Sequence, residues 1–230
     1  PTVPADPRRR GRRAGGAGLH QHRGPDRCRA ACPARLRELR DRAAPLLREL
    51  GDSCGESIYL TVLDSNYCLY IYAIETSHRL LARSAVGDRV PLHCTAVGKA
   101  ILSFMPQVRQ EAIIDEVGLP KFTEKTITEK NTLLEDLART KERGYAIDNE
   151  EHEADTFCIG SPIFNERGEV IGACSIAGHS KDIIEESNPL LLNKLRYTAQ
   201  EISRRMGFVP SRDKLIWNKP QNPIYEERSG

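Results

Sequence analysis

The sequence predicts a domain of the α+β class, with helices packed around an antiparallel sheet. Two pairs of β-branched and apolar runs, at 57–74 and 157–177, each enclose a short turn sequence. The segment between the two pairs, 95–143, repeats its apolar residues at helical spacing, and helical patterns also stand at both ends. Hairpins separated by a block of helices are typical of this class.

The bulk composition is that of a soluble globular protein. The 230 residues are 39% hydrophobic and 29% charged, and this length suffices for one well-buried domain with an accessory segment. The longest apolar runs are too short to span a bilayer, and no secretion signal opens the chain. Seven cysteines, an odd number, indicate reduced thiols. We therefore expect a cytoplasmic protein with no membrane partner.

The first 33 residues have an unusual, basic composition. Residues 1–35 carry nine Arg against two Asp, a balance of +7, whereas the rest of the chain has a balance of −5. Frequent Gly and scarce aliphatic residues predict that 1–33 is disordered. Such a segment is a nucleic-acid contact, a solvated tail or the product of a shifted reading frame. The chain also opens on Pro1 and not on Met, which predicts a fragment or a processed product.

An amphipathic helix is predicted over 34–51. Apolar residues recur at three- and four-residue steps between Leu36 and Leu50, with arginines on the opposite side. Pro45 lies inside this pattern and is expected to kink or restart the helix, because proline removes one backbone hydrogen bond. Gly51 is the predicted end of the helix.

Strands and then helices are predicted along the middle of the chain. Ser57–Leu63 and Tyr67–Ile74 form a hairpin, and Leu80–Val86 is expected to be a third strand. Gly144 ends the last of three helices, before strands resume at Tyr145. These helices are predicted at 95–105, 107–117 and 129–143.

The last third of the chain predicts a second hairpin and a closing helix. Phe157–Phe164 and Glu169–Ala177 are apolar runs joined by a turn sequence. A helix is predicted over Ile183–Met206, and its early part is disturbed by Pro189. Residues 207–230 contain three prolines and are expected to be an extended tail.

One candidate binding site lies where the first central helix begins. Thr95 is a good N-cap, and the free backbone amides of the first helical turn attract anions. Ala96, Val97 and Gly98 are small, so a ligand can approach the backbone closely. A carboxylate-bearing metabolite would suit this position. Lys99 is interpreted as a helix lysine whose charge reaches solvent.

A second group of polar residues follows Gly144. The acidic run 148–152 ends in His152 and leaves a metal site open as an alternative, and Cys158 leaves a thiol nucleophile open. Consecutive side chains on a strand cannot all face one ion, and neither His93 nor His152 has a visible orienting partner. We therefore expect no metal, no cofactor and no catalytic residue.

Four sequence blocks together resemble the isocitrate-lyase-regulator (IclR) family of bacterial transcription factors. They are Pro91–Ala100, Gly144–His152, Cys158–Phe164 and Gly168–Ile176, and the likeness runs from about residue 36 to 206. The resemblance implies a winged helix-turn-helix, a linker helix at 34–51 and a GAF/profilin-like effector-binding domain at 52–206, built on a curved antiparallel sheet flanked by helices. It also implies a homodimer or homotetramer that binds promoter DNA under control of a small effector, a carboxylate or aromatic metabolite.

The resemblance also implies the residues of the effector pocket. Where some members have a second serine, this chain has Ala177, and where some have glycine it has Ala96. Both changes make the pocket more apolar and favour a larger acid over a two- or three-carbon one. The implied ligand-binding residues are Thr95, Ala96, Val97, Asp148, Cys158 and Ser175.

The chain departs from the family pattern before the linker helix. Only 35 residues precede Leu36, and they show neither helix–turn–helix periodicity nor a recognition helix. We therefore expect the DNA-reading module to be missing or garbled in this chain. The sequence predicts the ligand-sensing domain of an IclR-type regulator, not an enzyme. The alternative is a small hydrolase or transferase that uses Cys158 and the acidic run 148–152.

Overall fold

A computed structural model describes residues 34–75, 86–185 and 189–210. The predicted disordered segment 1–33 and most of the predicted tail, 211–230, lie outside the described residues. The described elements, in chain order, are α1 Ala34–Cys54, β1 Ser57–Asp64, β2 Tyr67–Ile74, β3 Arg89–Val90, α2 Ala96–Ser103, α3 Gln107–Val117, α4 Lys130–Arg143, β4 Ala146–Asn149, β5 Phe157–Phe164, β6 Val170–Gly178 and α5 Pro189–Arg205.

The six strands form one curled antiparallel sheet, which confirms the predicted α+β class. Their order is β3-β2-β1-β6-β5-β4, so the two hairpins meet where β1 pairs with β6. In that pairing Tyr59 stands opposite Ser175, and Ser57 stands opposite Ala177. The hairpins β1–β2 and β5–β6, predicted from the sequence, are both present.

Each face of the sheet carries its own hydrophobic cluster. Helices α1 and α5 pack together on one face, where Ile58, Ile159 and Ile176 meet side chains such as Leu47 and Ile202. Alternate residues of the same strands point to the opposite face. There Tyr59 and Ala177 join Val97 and Ile101 of α2, which lies between the sheet and α4. The two-sided burial positions α2 directly over the centre of the sheet.

The first helix is not restarted at Pro45, and it ends later than predicted. It continues through Pro45, which is exposed, because Ala43 and Leu47 on the buried side stay packed on both sides of the proline. It also continues past Gly51 to Cys54. The residue that ends it is Gly55, which has a φ of 71° and donates its amide to the Gly51 carbonyl at 2.8 Å.

The remaining elements match the predictions closely, apart from two. Residues 80–85 of the predicted third strand lie outside the described part. On the side of β2 away from β1, the paired strand is the short β3, Arg89–Val90. The last helix does not begin at Ile183, since a 3₁₀ turn at Lys181–Ile183 precedes it and α5 begins at Pro189. Proline suits the first position of a helix because its missing amide has no partner there.

No helix within the described ranges is both long enough and apolar enough to cross a bilayer.

Candidate functional site

The first turn of α2 is fixed by a hydroxyl cap, as predicted. Thr95 has an extended backbone, and its Oγ1 accepts the amide of Gly98 at 3.1 Å. The same hydroxyl donates to the Pro91 carbonyl at 2.7 Å. Its proton is therefore already used, and the donors that remain at this helix end are the amides of Ala96 and Val97.

Two glycines bring this helix end close to its surroundings. A Cβ on Gly160 of β5 would lie 2.5 Å from the carbonyl oxygen of Ala96. A Cβ on Gly98 would lie 2.5 Å from the Cα of Leu92, in the segment that leads into the helix. Any larger residue would push backbone away at either position, so glycine allows the first turn of α2 to lie directly on the sheet.

A cavity opens between this helix end and the sheet, and all six predicted site residues line it. It holds about 400 Å³ of empty space, its open mouth included. Ala177, which the resemblance also placed in the pocket, lines it too, together with residues that were not predicted as ligand contacts. Among the described residues, the lining consists of Tyr59, Tyr70, Thr95, Ala96, Val97, Asp148, His152, Glu153, Thr156, Cys158, Ser175 and Ala177.

The strand register explains why residues distant in sequence meet here. Asp148 of β4 stands opposite Cys158 of β5, which stands opposite Ala177 of β6. Two residues along, Ser175 stands opposite Tyr59. All five side chains belong to the sheet face that α2 covers, since positions two apart on a strand share a face. The sheet thus supplies the floor of the cavity.

An aromatic wall and one histidine are the main features that sequence reasoning missed. The rings of Tyr59 and Tyr70 lie edge to face, 5.3 Å apart at an angle of 65°. His152 also lines the cavity, and its ring lies 5.1 Å from that of Phe122. Burial lowers the pKa of His152, which favours the neutral ring. Only the alternation within β1 hinted at Tyr59, and the pairing of β1 with β6 could not be predicted.

Asp148 is the buried acid of the cavity. Its residue is 3% exposed, and Oδ1 accepts the backbone amide of Glu151 at 2.8 Å. Burial, followed by the nearby negative charge of Glu151, raises the pKa of Asp148 to about 7. A carboxyl group in this state is available as a donor as well as an acceptor near neutral pH.

Lys99 does not reach solvent as the sequence reasoning expected. Its side chain is 2% exposed, and Nζ lies 2.6 Å from Glu151 Oε1 and 3.0 Å from Asp136 Oδ2 of α4. The interpretation as a surface lysine is therefore wrong. The two carboxylates outweigh the cost of burial and raise the pKa of Lys99 above its ordinary value, so the ammonium form persists.

The loop 149–156, which carries His152 into the cavity wall, is held by polar contacts. Glu150 forms an exposed ion pair with Lys125. Thr126 Oγ1 donates to the carbonyl of Glu151 at 2.6 Å. Glu150 and Asp155 adopt φ values of 59° and 55°, which are unfavourable for residues with a side chain. The loop is thus strained and tied to its neighbours.

The acidic run does not converge on a metal site. Glu150 turns to Lys125 at the surface, whereas Glu151 turns inward to Lys99. In the parts of the chain that the structure describes, no three His, Cys, Asp or Glu residues are grouped to hold a metal ion. The arrangement is suited to binding a small polar molecule between helix amides, tyrosines and a buried carboxyl group.

This fold and this cavity are suited to a sensory domain that binds a small molecule. Residues 34–204 match the family model described as the bacterial transcriptional regulator IclR C-terminal domain. The match covers most of the chain, which therefore belongs to the IclR family of bacterial transcriptional regulators. The resemblance noted in the sequence is confirmed.

Curated relatives are regulators and not enzymes. The uncharacterized HTH-type transcriptional regulator RhmR of Escherichia coli K12 is 34% identical over 171 residues, 74% of this chain and 66% of the relative. KipR of Bacillus subtilis is 33% identical over 75% of this chain and 69% of its own. The E. coli repressor AllR is 33% identical over 72% of this chain and 61% of its own. The chain spans about two thirds of the length of such relatives. The hydrolase or transferase alternative finds no support among them.

Solved structures of the family share the fold. IclR of Thermotoga maritima has a TM-score of 0.72 at 34% identity and covers 75% of this chain and 71% of its own. The C-terminal domain of E. coli KdgR has a TM-score of 0.67 at 34% identity, and the match covers 74% of this chain and 99% of the KdgR chain. The inducer-binding domain of Acinetobacter PobR, a double mutant in complex with 3-hydroxybenzoic acid, has a TM-score of 0.61 at 27% identity. The match covers 70% of this chain and 95% of the PobR chain.

Proposed function

We propose that this domain senses a small organic acid, which binds in the cavity between α2 and the sheet. The observation that carries the proposal is the convergence of two free helix amides, those of Ala96 and Val97, on a cavity with a buried acid and two tyrosines. Amides at a helix N-terminus are a ready site for a carboxylate. The Thr95 hydroxyl uses its proton on Pro91 and accepts from Gly98, so it leaves these two amides available to the ligand.

The other walls suit the body of the acid. Tyr59 and Tyr70 offer an apolar, aromatic surface, and Ala177 adds no polar group. Ser175 is 4% exposed, and its hydroxyl, with Cys158 and Asp148, can bond to a polar substituent. The PobR inducer domain, solved with 3-hydroxybenzoic acid, supports an aromatic or larger aliphatic acid over a two- or three-carbon one.

We further propose that binding controls transcription by a population shift. The ligand would favour one arrangement of a homodimer or homotetramer in the cytoplasm, and so change how a winged helix engages promoter DNA. Helix α1 would act as the linker that transmits the change, since it packs against both α5 and the sheet.

Isothermal titration calorimetry with a panel of acids tests the ligand class. Pyruvate, glyoxylate, a C6 aliphatic acid, benzoate and 3-hydroxybenzoate are titrated into the purified protein. We expect the larger acids to bind and the two- and three-carbon acids to bind weakly or not at all. Binding of the small acids alone would contradict the proposal, as would the absence of any competition between acids.

Native mass spectrometry of the protein as purified tests the assembly. We expect a dimer or tetramer, with a retained small acid visible as added mass. A ligand-free monomer at micromolar concentration would count against the oligomeric sensor.

A further inference from the structure

Lys99 is a buried charge on the helix that forms one wall of the cavity. It stands four residues after the Thr95 cap, yet neither Lys99 nor its partner Glu151 lines the cavity. Burying an ammonium ion with two carboxylates costs so much desolvation that apolar side chains of similar volume often give equal or greater stability. Stability of the core is therefore a weak explanation for the cluster of Lys99, Glu151 and Asp136. The position of the cluster beside the cavity suggests a role in forming the cavity.

The partner of Lys99 leads directly to the cavity. Glu151 Oε1 accepts a hydrogen bond from the Lys99 ammonium group at 2.6 Å. The backbone amide of Glu151 donates to Asp148 Oδ1 at 2.8 Å. The next residue, His152, is itself part of the cavity wall. One residue thus joins the helix wall, the buried acid and the loop wall.

The loop needs such a link because its backbone is strained. The positive φ angles of Glu150 and Asp155 persist only where surrounding contacts hold them. The contacts from Thr123 and Thr126 tie the loop to the segment before α4 and not to α2. The Lys99–Glu151 pair is the side-chain bond that ties it to the helix whose amides face the ligand.

We propose that Lys99 is a positioning residue for the acid-binding cavity: through Glu151 it holds the loop 149–156 in register with the first turn of α2, without touching the ligand. The proposal rests on the function proposed above for this cavity. Asp136 of α4 serves as the second counterion, which keeps Lys99 charged when Glu151 is replaced.

Two substitutions of Glu151 separate positioning from stability. In Glu151→Met the bond to Lys99 is lost, but Asp136 still pairs with the ammonium, so no lone charge is created. In Glu151→Gln the amide oxygen still accepts from Nζ. We expect amide hydrogen exchange across 149–156, and the dissociation constant for 3-hydroxybenzoate, to rise by about tenfold or more in the first variant. In the second both stay within about threefold of wild type.

Controls keep the outcome decisive. Asp115→Asn weakens an exposed ion pair with Lys130, outside the loop, and should change both quantities by less than about twofold. If Glu151→Met does not fold, the double variant Lys99→Met/Glu151→Met removes both charges and leaves Asp136 beside Arg139, 3.5 Å away. It should show wild-type-like thermal unfolding together with fast loop exchange.

Wild-type loop exchange in Glu151→Met, or in the double variant, would overturn the proposal. So would a double variant with both restored stability and wild-type affinity, because the cluster would then be structural only. The exchange measurement needs no ligand. If 3-hydroxybenzoate fails to bind the wild-type protein, that result counts against the proposed function, while loop exchange still decides the role of Lys99.

Discussion

Gly160 sets the distance between α2 and the sheet, and thereby the depth of the cavity. In Gly160→Ala the new Cβ would stand 2.5 Å from a carbonyl oxygen and 2.6 Å from a carbonyl carbon of Ala96. Both are backbone atoms, so the helix end itself must move. We expect a loss of about 1–3 kcal/mol of unfolding free energy, the usual cost of overpacking.

The same substitution should also impair ligand binding, because the amides that face the ligand move with the helix. We expect at least about tenfold weaker binding of 3-hydroxybenzoate by calorimetry, equivalent to about 1.4 kcal/mol. Unchanged affinity in a protein with lowered stability would show that the helix amides do not hold the acid.

Asp148 should make stability depend on pH. Its pKa rises from 3.8 to about 7 on folding, so between these values the folded state holds a proton that the unfolded state has released. Stability from this group is therefore complete below pH 4 and declines as pH rises to about 7. A shift of roughly 3 units corresponds to about 4 kcal/mol.

The variant Asp148→Asn should lack this decline, since its amide oxygen still accepts from Glu151 but does not titrate. Chemical denaturation from pH 4.5 to 8 measures the difference between the two proteins. Asp115→Asn, at an exposed ion pair with Lys130, is the control and should follow wild type. Parallel curves for wild type and Asp148→Asn would contradict the prediction.

At this scale the sequence predicted residues that either have a clear local chemistry or were implied by the family resemblance. Thr95 is a cap by chemistry, and Asp148 and Ser175 came with the family resemblance; all of them line one cavity. Tyr59 and Tyr70 were missed because a tyrosine in a strand is ordinary. Their position at the site depends on the pairing of β1 with β6 and on the irregularity at Leu60/Thr61, neither of which is local.

The end of α1 shows how an element boundary escapes local reasoning. Both Gly51 and Gly55 are plausible stops in sequence, but only Gly55 has a left-handed φ. Gly51 lies inside the helix, where a Cβ would make ordinary contacts of 3.4–3.6 Å with Ile58 and Ile74. The helix therefore continues through Gly51, which packs on the sheet, and ends at Gly55, where the backbone becomes left-handed.

The two glycines should therefore respond oppositely to alanine. Gly51→Ala should stabilise the protein by about 0.5–1 kcal/mol, because alanine loses less backbone entropy in a helix. Gly55→Ala has open space around its Cβ but an unfavourable φ of 71°, so it should destabilise by about 1 kcal/mol. Thermal unfolding of both variants measures the signs. Equal signs would show that the helix ends elsewhere in solution.

Elements bounded by strong local signals were predicted to the residue. The bounds of α3 and β5 match, because proline precedes the first and a turn sequence follows the second. The start of α5 was misplaced, since the apolar pattern continues through the 3₁₀ turn and Ile183 is buried there as well. Periodicity reports burial, and burial alone does not distinguish these two backbone conformations.

At the level of the whole molecule, two clusters on opposite faces of one sheet share its strands. The cluster under α1 and α5 and the cluster under α2 both consist of described residues between Leu39 and Ile202. Neither helix layer can be removed without exposing a sheet face. The cavity lies within the second cluster, so its walls depend on the same packing as the fold.

The segment 34–210 should accordingly fold and bind without the rest of the chain. The region matched to this chain covers 99% of the solved C-terminal domain of KdgR, which supports a domain of this extent. We expect the protein trimmed to 34–210 to unfold in one cooperative transition within about 2–4 °C of the longer chain, the shift that about 1 kcal/mol causes in a domain of this size. Its affinity for 3-hydroxybenzoate should be unchanged, since all the cavity residues that the structure describes lie between Tyr59 and Ala177. A trimmed protein that folds but binds tenfold more weakly would mean that residues outside 34–210 contribute to the site.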